Sequence, residues 1–127
     1  MNALVLCSAA LILLYAALSA NVSRLRIRAQ KDPEVTEVHL AKAIRAHGNA
    51  SEYIPLYVVL FLYLSSLPPS TWVITLAALA TLSRYAHAAG MLLATGPNRR
   101  HPLRFYGALG TYLTLFALGG VMMRAAM

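Results

Sequence analysis

A single cysteine in 127 residues, Cys7, leaves no disulfide framework, and no Cys/His cluster has the spacing of a zinc site, so no metal is expected. Acids are nearly as scarce. Asp32, Glu34, Glu37 and Glu52 stand against eleven Lys and Arg, giving a net charge of +7, and beyond residue 38 Glu52 is the lone carboxylate. Such a balance suits nucleic acid, but no DNA- or RNA-binding motif accompanies it and nucleic acid is not an expected partner. Internal repeats, low-complexity tracts and a soluble second domain are missing too. What is plentiful is apolar side chain, 59% of the residues, with a mean hydropathy of +0.61. A chain of this composition is read as one membrane-embedded domain.

Four apolar runs emerge where charge, Pro or Gly interrupts. Ala3 to Ala20 has no charge and makes about 27 Å of helix, against roughly 30 Å of hydrocarbon to cross. No Lys or Arg precedes this run and a basic cluster follows it, the reverse of a secretory leader, so it is expected to be retained. The run after Glu52 ends near Leu67, before Pro68 and Pro69, and gives only about 22 Å. The second helix must therefore start earlier, drawing Asn49 and Glu52 towards the membrane. A third run extends from about Trp72 to Leu93 and contains Arg84 and His87, and a fourth from Phe105 to Met123. The fold class expected is an all-α membrane protein, a four-transmembrane-helix bundle occupying residues 1–127, with helices at about 3–28, 37–67, 71–95 and 102–124.

Charge sets the orientation. Arg24, Arg26, Arg28, Lys31, Lys42 and Arg45 crowd the first connection, and Arg99, Arg100 and Arg104 mark the third. The second has none. The positive-inside rule then puts the basic loops in the cytoplasm and both termini in the periplasm of a bacterial inner membrane. Arg124 is the one charge on the opposite side.

At 3.6 residues per turn, Arg45, Asn49 and Glu52 share one stripe with Tyr53 beside it, while His47 points elsewhere. Arg84 and His87 form a second stripe, which continues to Met91. Charges at this depth cost roughly 2.5 to 3.5 kcal/mol each on insertion scales, so they belong against protein or a water-filled cavity. Either Glu52 pairs with Arg84 or Arg45 to tie helices together, with Asn49 as interhelical glue, or the set lines a pocket for a polar molecule carrying both signs of charge. The cationic excess points to a missing anion. Ala86, Gly90 and Ala94 on the third helix, with Gly107 and Gly110 on the fourth, allow close backbone approach.

These residues carry a resemblance. "RAHGNASEYIPL", residues 45–56, is similar to the second-helix signature of the MAPEG family, membrane-associated proteins in eicosanoid and glutathione metabolism. "RLRIRA" at 24–29 resembles the basic end of that family's first helix, "RYAH" at 84–87 the Arg-x-x-His of its third, and "PLR" at 102–104 the start of its fourth. The short bacterial branch is the nearest match. The resemblance implies a homotrimer with glutathione held between neighbouring subunits near the cytoplasmic side. It implies Glu52 for the glutathione ammonium, Arg45 and Asn49 for its backbone polar groups, Tyr53 beside them, and Arg24 or Arg26 for a carboxylate. Arg84 and His87 fall on third-helix pocket positions, and Arg104 on the arginine beside the sulfur in catalytic members.

Arg104 suits that task, since a free thiol of pKa about 8.5 is mostly protonated at neutral pH and a fixed guanidinium favours the attacking thiolate. Cys7 is a packing residue in this reading. The function implied is a glutathione-dependent transferase or peroxidase that attacks a hydrophobic electrophile or lipid peroxide arriving from the bilayer. The alternative is a non-catalytic member binding glutathione, an anionic membrane lipid or a partner protein. Met91 occupies a stripe position where many catalytic members have tyrosine, and Tyr106 or Tyr112 substitutes only if it faces the pocket.

Overall fold

A computed structural model describes residues 2–68 and 70–127. Four helices follow in chain order: α1 (Ala3–Ala29), α2 (Pro33–Ser65), α3 (Thr71–Leu93) and α4 (Pro102–Ala125). No strand occurs among the described residues. Side chains cap the starts of α1 and α4, through Asn2 and His101. The Asn2 side chain accepts from the backbone N–H groups of Leu4 and Val5 at 3.2 and 3.4 Å, satisfying donors that the first turn of α1 leaves open. Pro33 and Pro102 occupy the first turns of α2 and α4, where a missing N–H costs nothing.

The 33 residues of α2 make about 50 Å of helix, well beyond the roughly 30 Å of a hydrocarbon core. Its amino-terminal part, from Pro33, therefore extends past the bilayer beside the end of α1. This earlier start is what keeps Arg45, Asn49 and Glu52 on a continuous helical stripe.

Helices α1 and α2 form one antiparallel pair and α3 and α4 the other. Both α1 and α2 also lie against α3, whereas the α4 backbone approaches α3 alone. Glycine makes the second pairing tight. A methyl built on Gly107 sits 2.7 Å from the Cα of His87, and one on Gly90 sits 2.8 Å from the Cα of Arg104. Any side chain at either position pushes α4 off α3, so these glycines set the spacing between the helices that carry His87 and Arg104.

The core runs along the bundle through Leu11, Ala50, Ile54, Tyr57, Phe61, Ala77, Ala80 and Leu118. A smaller cluster of Val22, Leu25 and Ala43 closes the basic end. Outside this core the surface is rich in large apolar side chains, among them Leu13, Val59, Leu82, Leu113 and Phe116, the last 82% exposed. Water disfavours such a surface, and lipid does not. By length and hydropathy α1 and α4 are suited to cross a membrane. Helices α2 and α3 are less apolar along their length, since they carry the polar residues expected in them, Arg45, Asn49 and Glu52 on one and Arg84 and His87 on the other.

Candidate functional site

With α3 behind them and their backbones apart, α2 and α4 leave a groove of about 1200 Å³. Arg45, Asn49 and Glu52 line it from α2, one per turn as the 3.6-residue period requires. His87 and Met91 form part of the floor, Arg104 and Tyr112 come from α4, and Asn98, Arg99, Arg100 and His101 come from the connecting loop. Four guanidiniums and one carboxylate thus face a common space.

Beneath the groove lies Arg84, 1% exposed. Its guanidinium donates to the Asn49 Oδ1 at 2.6 Å and to the Thr111 hydroxyl at 3.3 Å. The Tyr53 ring stacks near it, 5.0 Å from ring centre to guanidinium carbon, a cation–π contact. The Nε–H has no partner among the described residues. Neither helix-tying pair is formed: Arg84 is held by an amide and a hydroxyl rather than by Glu52, and Arg45 donates to the Asn98 side chain. All these direct partners are neutral, and no carboxylate of the described residues forms an ion pair with Arg84. A buried ion left in this condition is costly.

The remaining contacts fix the walls. His87 Nδ1 donates to the Arg104 backbone carbonyl at 2.9 Å, which leaves Nε2 as the acceptor of the neutral ring. Arg104 donates to the carbonyls of Pro97 at 3.2 Å and Arg99 at 3.4 Å, tethering its side chain to the loop. Buried Tyr57 reaches across from α2, donating to the Thr111 carbonyl at 2.8 Å and lying 2.7 Å from the Thr114 hydroxyl. Through Asn49, Arg84, Thr111 and Tyr57, three helices are cross-linked below the site. Such a network orients the groove residues more than it stabilises the fold, since each net hydrogen bond is worth about 1 kcal/mol.

Of the residues expected in the site, Arg45, Asn49, Glu52, His87 and Arg104 line the groove, and Arg84 and Tyr53 support it from below. Arg24 and Arg26 are not brought there within one subunit: Arg24 lines a separate groove between α1 and α2, and Arg26 is exposed. His47 stacks on Tyr15 at 5.0 Å, and Tyr85 donates to the Ala10 carbonyl, so both face α1. Tyr112 does face the groove and touches Tyr53, ring centres 6.2 Å apart. A hydroxyl is therefore present where the Met91 stripe lacks one. Asn98, His101 and Thr111 were not anticipated. Lys42, first counted as surface charge, is buried, and its ammonium donates at 2.9 Å to the carbonyls of Leu92 and Ala94, capping the end of α3.

Compared with known proteins, the chain matches the sequence profile described as the MAPEG family over residues 4–124. It is 38% identical over 89 residues to the inner membrane protein YecN of Escherichia coli strain K12 and, to the same extent, to YecN of Escherichia coli O6:H1. The aligned stretch covers 61% of this chain and 66% of those relatives, just under two thirds of their length. No solved structure matches.

Proposed function

The chain belongs to the MAPEG family, and from that premise we propose that it is a membrane-embedded glutathione transferase or peroxidase working in the α2–α4 groove. One observation carries the reading: four guanidiniums face one carboxylate in a space with room for a tripeptide, and no anion of the subunit answers the excess. Glutathione has the complementary set, with one ammonium for Glu52 and two carboxylates for the arginines. Arg45 holds one carboxylate beside Asn49, and Arg99 or Arg100 reaches the other.

Arg104 lies by the thiol. Its guanidinium cannot lose its own proton and stabilises the thiolate, whose proton passes to water. The thiolate lone pair then forms the new bond to carbon as the leaving group departs with its electrons. On a peroxide the bond forms to oxygen and the alkoxide leaves, and a second glutathione reduces the product. Tyr112 offers a hydroxyl to the departing anion. The apolar substrate comes from the lipid side, past Phe105 and Tyr106, which border the groove.

The same reading makes the protein a homotrimer of the bacterial inner membrane, basic loops in the cytoplasm and both termini in the periplasm. Support for the membrane comes from the relatives named inner membrane proteins and from the charge distribution. A neighbouring subunit covers the outward apolar face of α4, and Arg26, exposed on α1, reaches a carboxylate in the neighbour's groove.

Stopped-flow absorbance in the thiolate band tests the chemistry. Mixing glutathione with detergent-purified protein produces a prompt rise, which Arg104→Ala abolishes. Binding without the rise leaves a glutathione-binding protein and removes the catalytic step, and no binding removes the assignment altogether.

A further inference from the structure

A second groove, of about 350 Å³, lies where α1 and α2 meet at the basic end of the bundle. Arg24 and Arg28, one turn apart on α1, face it together with His39 and Lys42 of α2, while Leu25 and Val35 supply apolar wall. We propose that this groove binds the phosphate of an anionic bilayer phospholipid. Its position in the bilayer is the first argument. The strongly apolar run of α1 ends near Ala20, so Arg24 stands about 6 Å beyond it, within a headgroup layer some 5 to 7 Å thick, and Arg28, about 12 Å beyond, leans its side chain back towards that layer as helical side chains lean to the N-terminus.

Donor capacity is the second. Arg24 spends one N–H on the Asn21 side chain at 2.8 Å, and most of its five donors remain. Lys42, nine-tenths buried, uses two of three ammonium hydrogens on α3 carbonyls and keeps the third. Guanidiniums one turn apart match the oxygens of a phosphate, and Leu25 and Val35 match the glycerol and first methylenes.

Charge decides the class of lipid. Asp32, Glu34 and Glu37 are close in sequence, yet no carboxylate lines the groove. The ammonium of a zwitterionic headgroup finds no partner there, so a headgroup with net negative charge is preferred. This inference is independent of glutathione, because it uses a different groove.

The test is lipid retention. Protein reconstituted in vesicles of equal phosphatidylglycerol and phosphatidylcholine is re-extracted in mild detergent, and the retained lipid is identified by mass spectrometry. Wild type is expected to keep phosphatidylglycerol over phosphatidylcholine by about thirtyfold, at roughly 1 kcal/mol for each of the two arginines. The double variant Arg24→Ala/Arg28→Ala brings the ratio close to parity. A charge-matched control, Arg26→Ala/Lys31→Ala, removes two exposed cations outside the groove and keeps the preference. Equal loss in both double variants reduces the effect to general surface charge and overturns the site. Undiminished preference in Arg24→Ala/Arg28→Ala overturns it as well, and full displacement of the lipid by inorganic phosphate alone reassigns the groove to a soluble anion.

Discussion

Helices α1 and α4 are the apolar pair, and α2 and α3 the polar one. The first two are long and apolar enough to cross a membrane, while the second two hold the buried charges Lys42 and Arg84 and the groove-lining Arg45 and Glu52. The difference is a division of labour. The outward side chains of α1 and α4, such as Leu13 and Phe116, are free to be large and apolar, because lipid or another apolar helix face accepts them. Polar groups on α2 and α3 are tolerated because they turn towards one another and towards the groove, where neutral oxygens and solvent replace lipid. The pairing of α4 with α3 breaks this division in one useful way: it brings Arg104, at the start of an apolar helix, beside the polar floor.

That pairing is the place to break the comparison most severely. Gly107→Ala puts a methyl 2.7 Å from the His87 Cα, backbone against backbone with no flexible side chain to yield. We expect a loss of about 3 kcal/mol, the upper end for overpacking, read as a lowered melting temperature in detergent. Gly120→Ala on the same helix meets nothing within 4 Å. It should leave stability unchanged or raise it by roughly 0.5 to 1 kcal/mol, the ordinary gain of Ala over Gly in a helix. Equal effects of the two substitutions contradict the close approach of α3 and α4.

Arg84 sharpens the contrast between holding the fold and waiting for a ligand. Its charge is buried against neutral partners only. A lone charge held only by neutral groups carries a desolvation cost that its hydrogen bonds offset in part. Arg84→Met is therefore expected to keep or raise the melting temperature while glutathione affinity falls by at least about tenfold, some 1.4 kcal/mol. A fall in melting temperature with affinity intact makes Arg84 a strut of the bundle instead.

Much of this arrangement is legible in the residues alone. The four apolar runs, and the shortness of the one after Glu52, already demand a long second helix. Helical arithmetic puts Arg45, Asn49 and Glu52 on one face, and all three line the groove. It likewise turns His47 and Tyr85 away from it, and both lie against α1. Partners across helices are another matter, since a period gives direction but not depth. Arg84 meets Asn49 and Thr111 rather than Glu52 for that reason. Loop residues such as Asn98 and His101 have no period to read. Lys42 sits in a run of cations that reads as solvated surface, and only the end of α3 arriving beside it makes it a buried cap. Arg24 shares its run with Arg26, yet one turns into the α1–α2 groove and the other outwards.

Glu52 poses the finest test of the two pairs of helices, because it is a carboxylate on a groove wall and exposed within the subunit. Its nearest competitors for a partner are already occupied: Arg45 by Asn98, and Arg84 by Asn49 and Thr111. Glu52→Gln preserves shape and removes only charge. If the carboxylate serves a ligand ammonium, glutathione affinity drops at least tenfold, about 1.4 kcal/mol, while the melting temperature and the assembled oligomer stay as they were. If it serves another helix across a subunit boundary, the opposite pattern appears, with dissociation of the oligomer and affinity unchanged. Titration calorimetry and native mass spectrometry on the same preparation read both quantities, so the two roles separate in one variant.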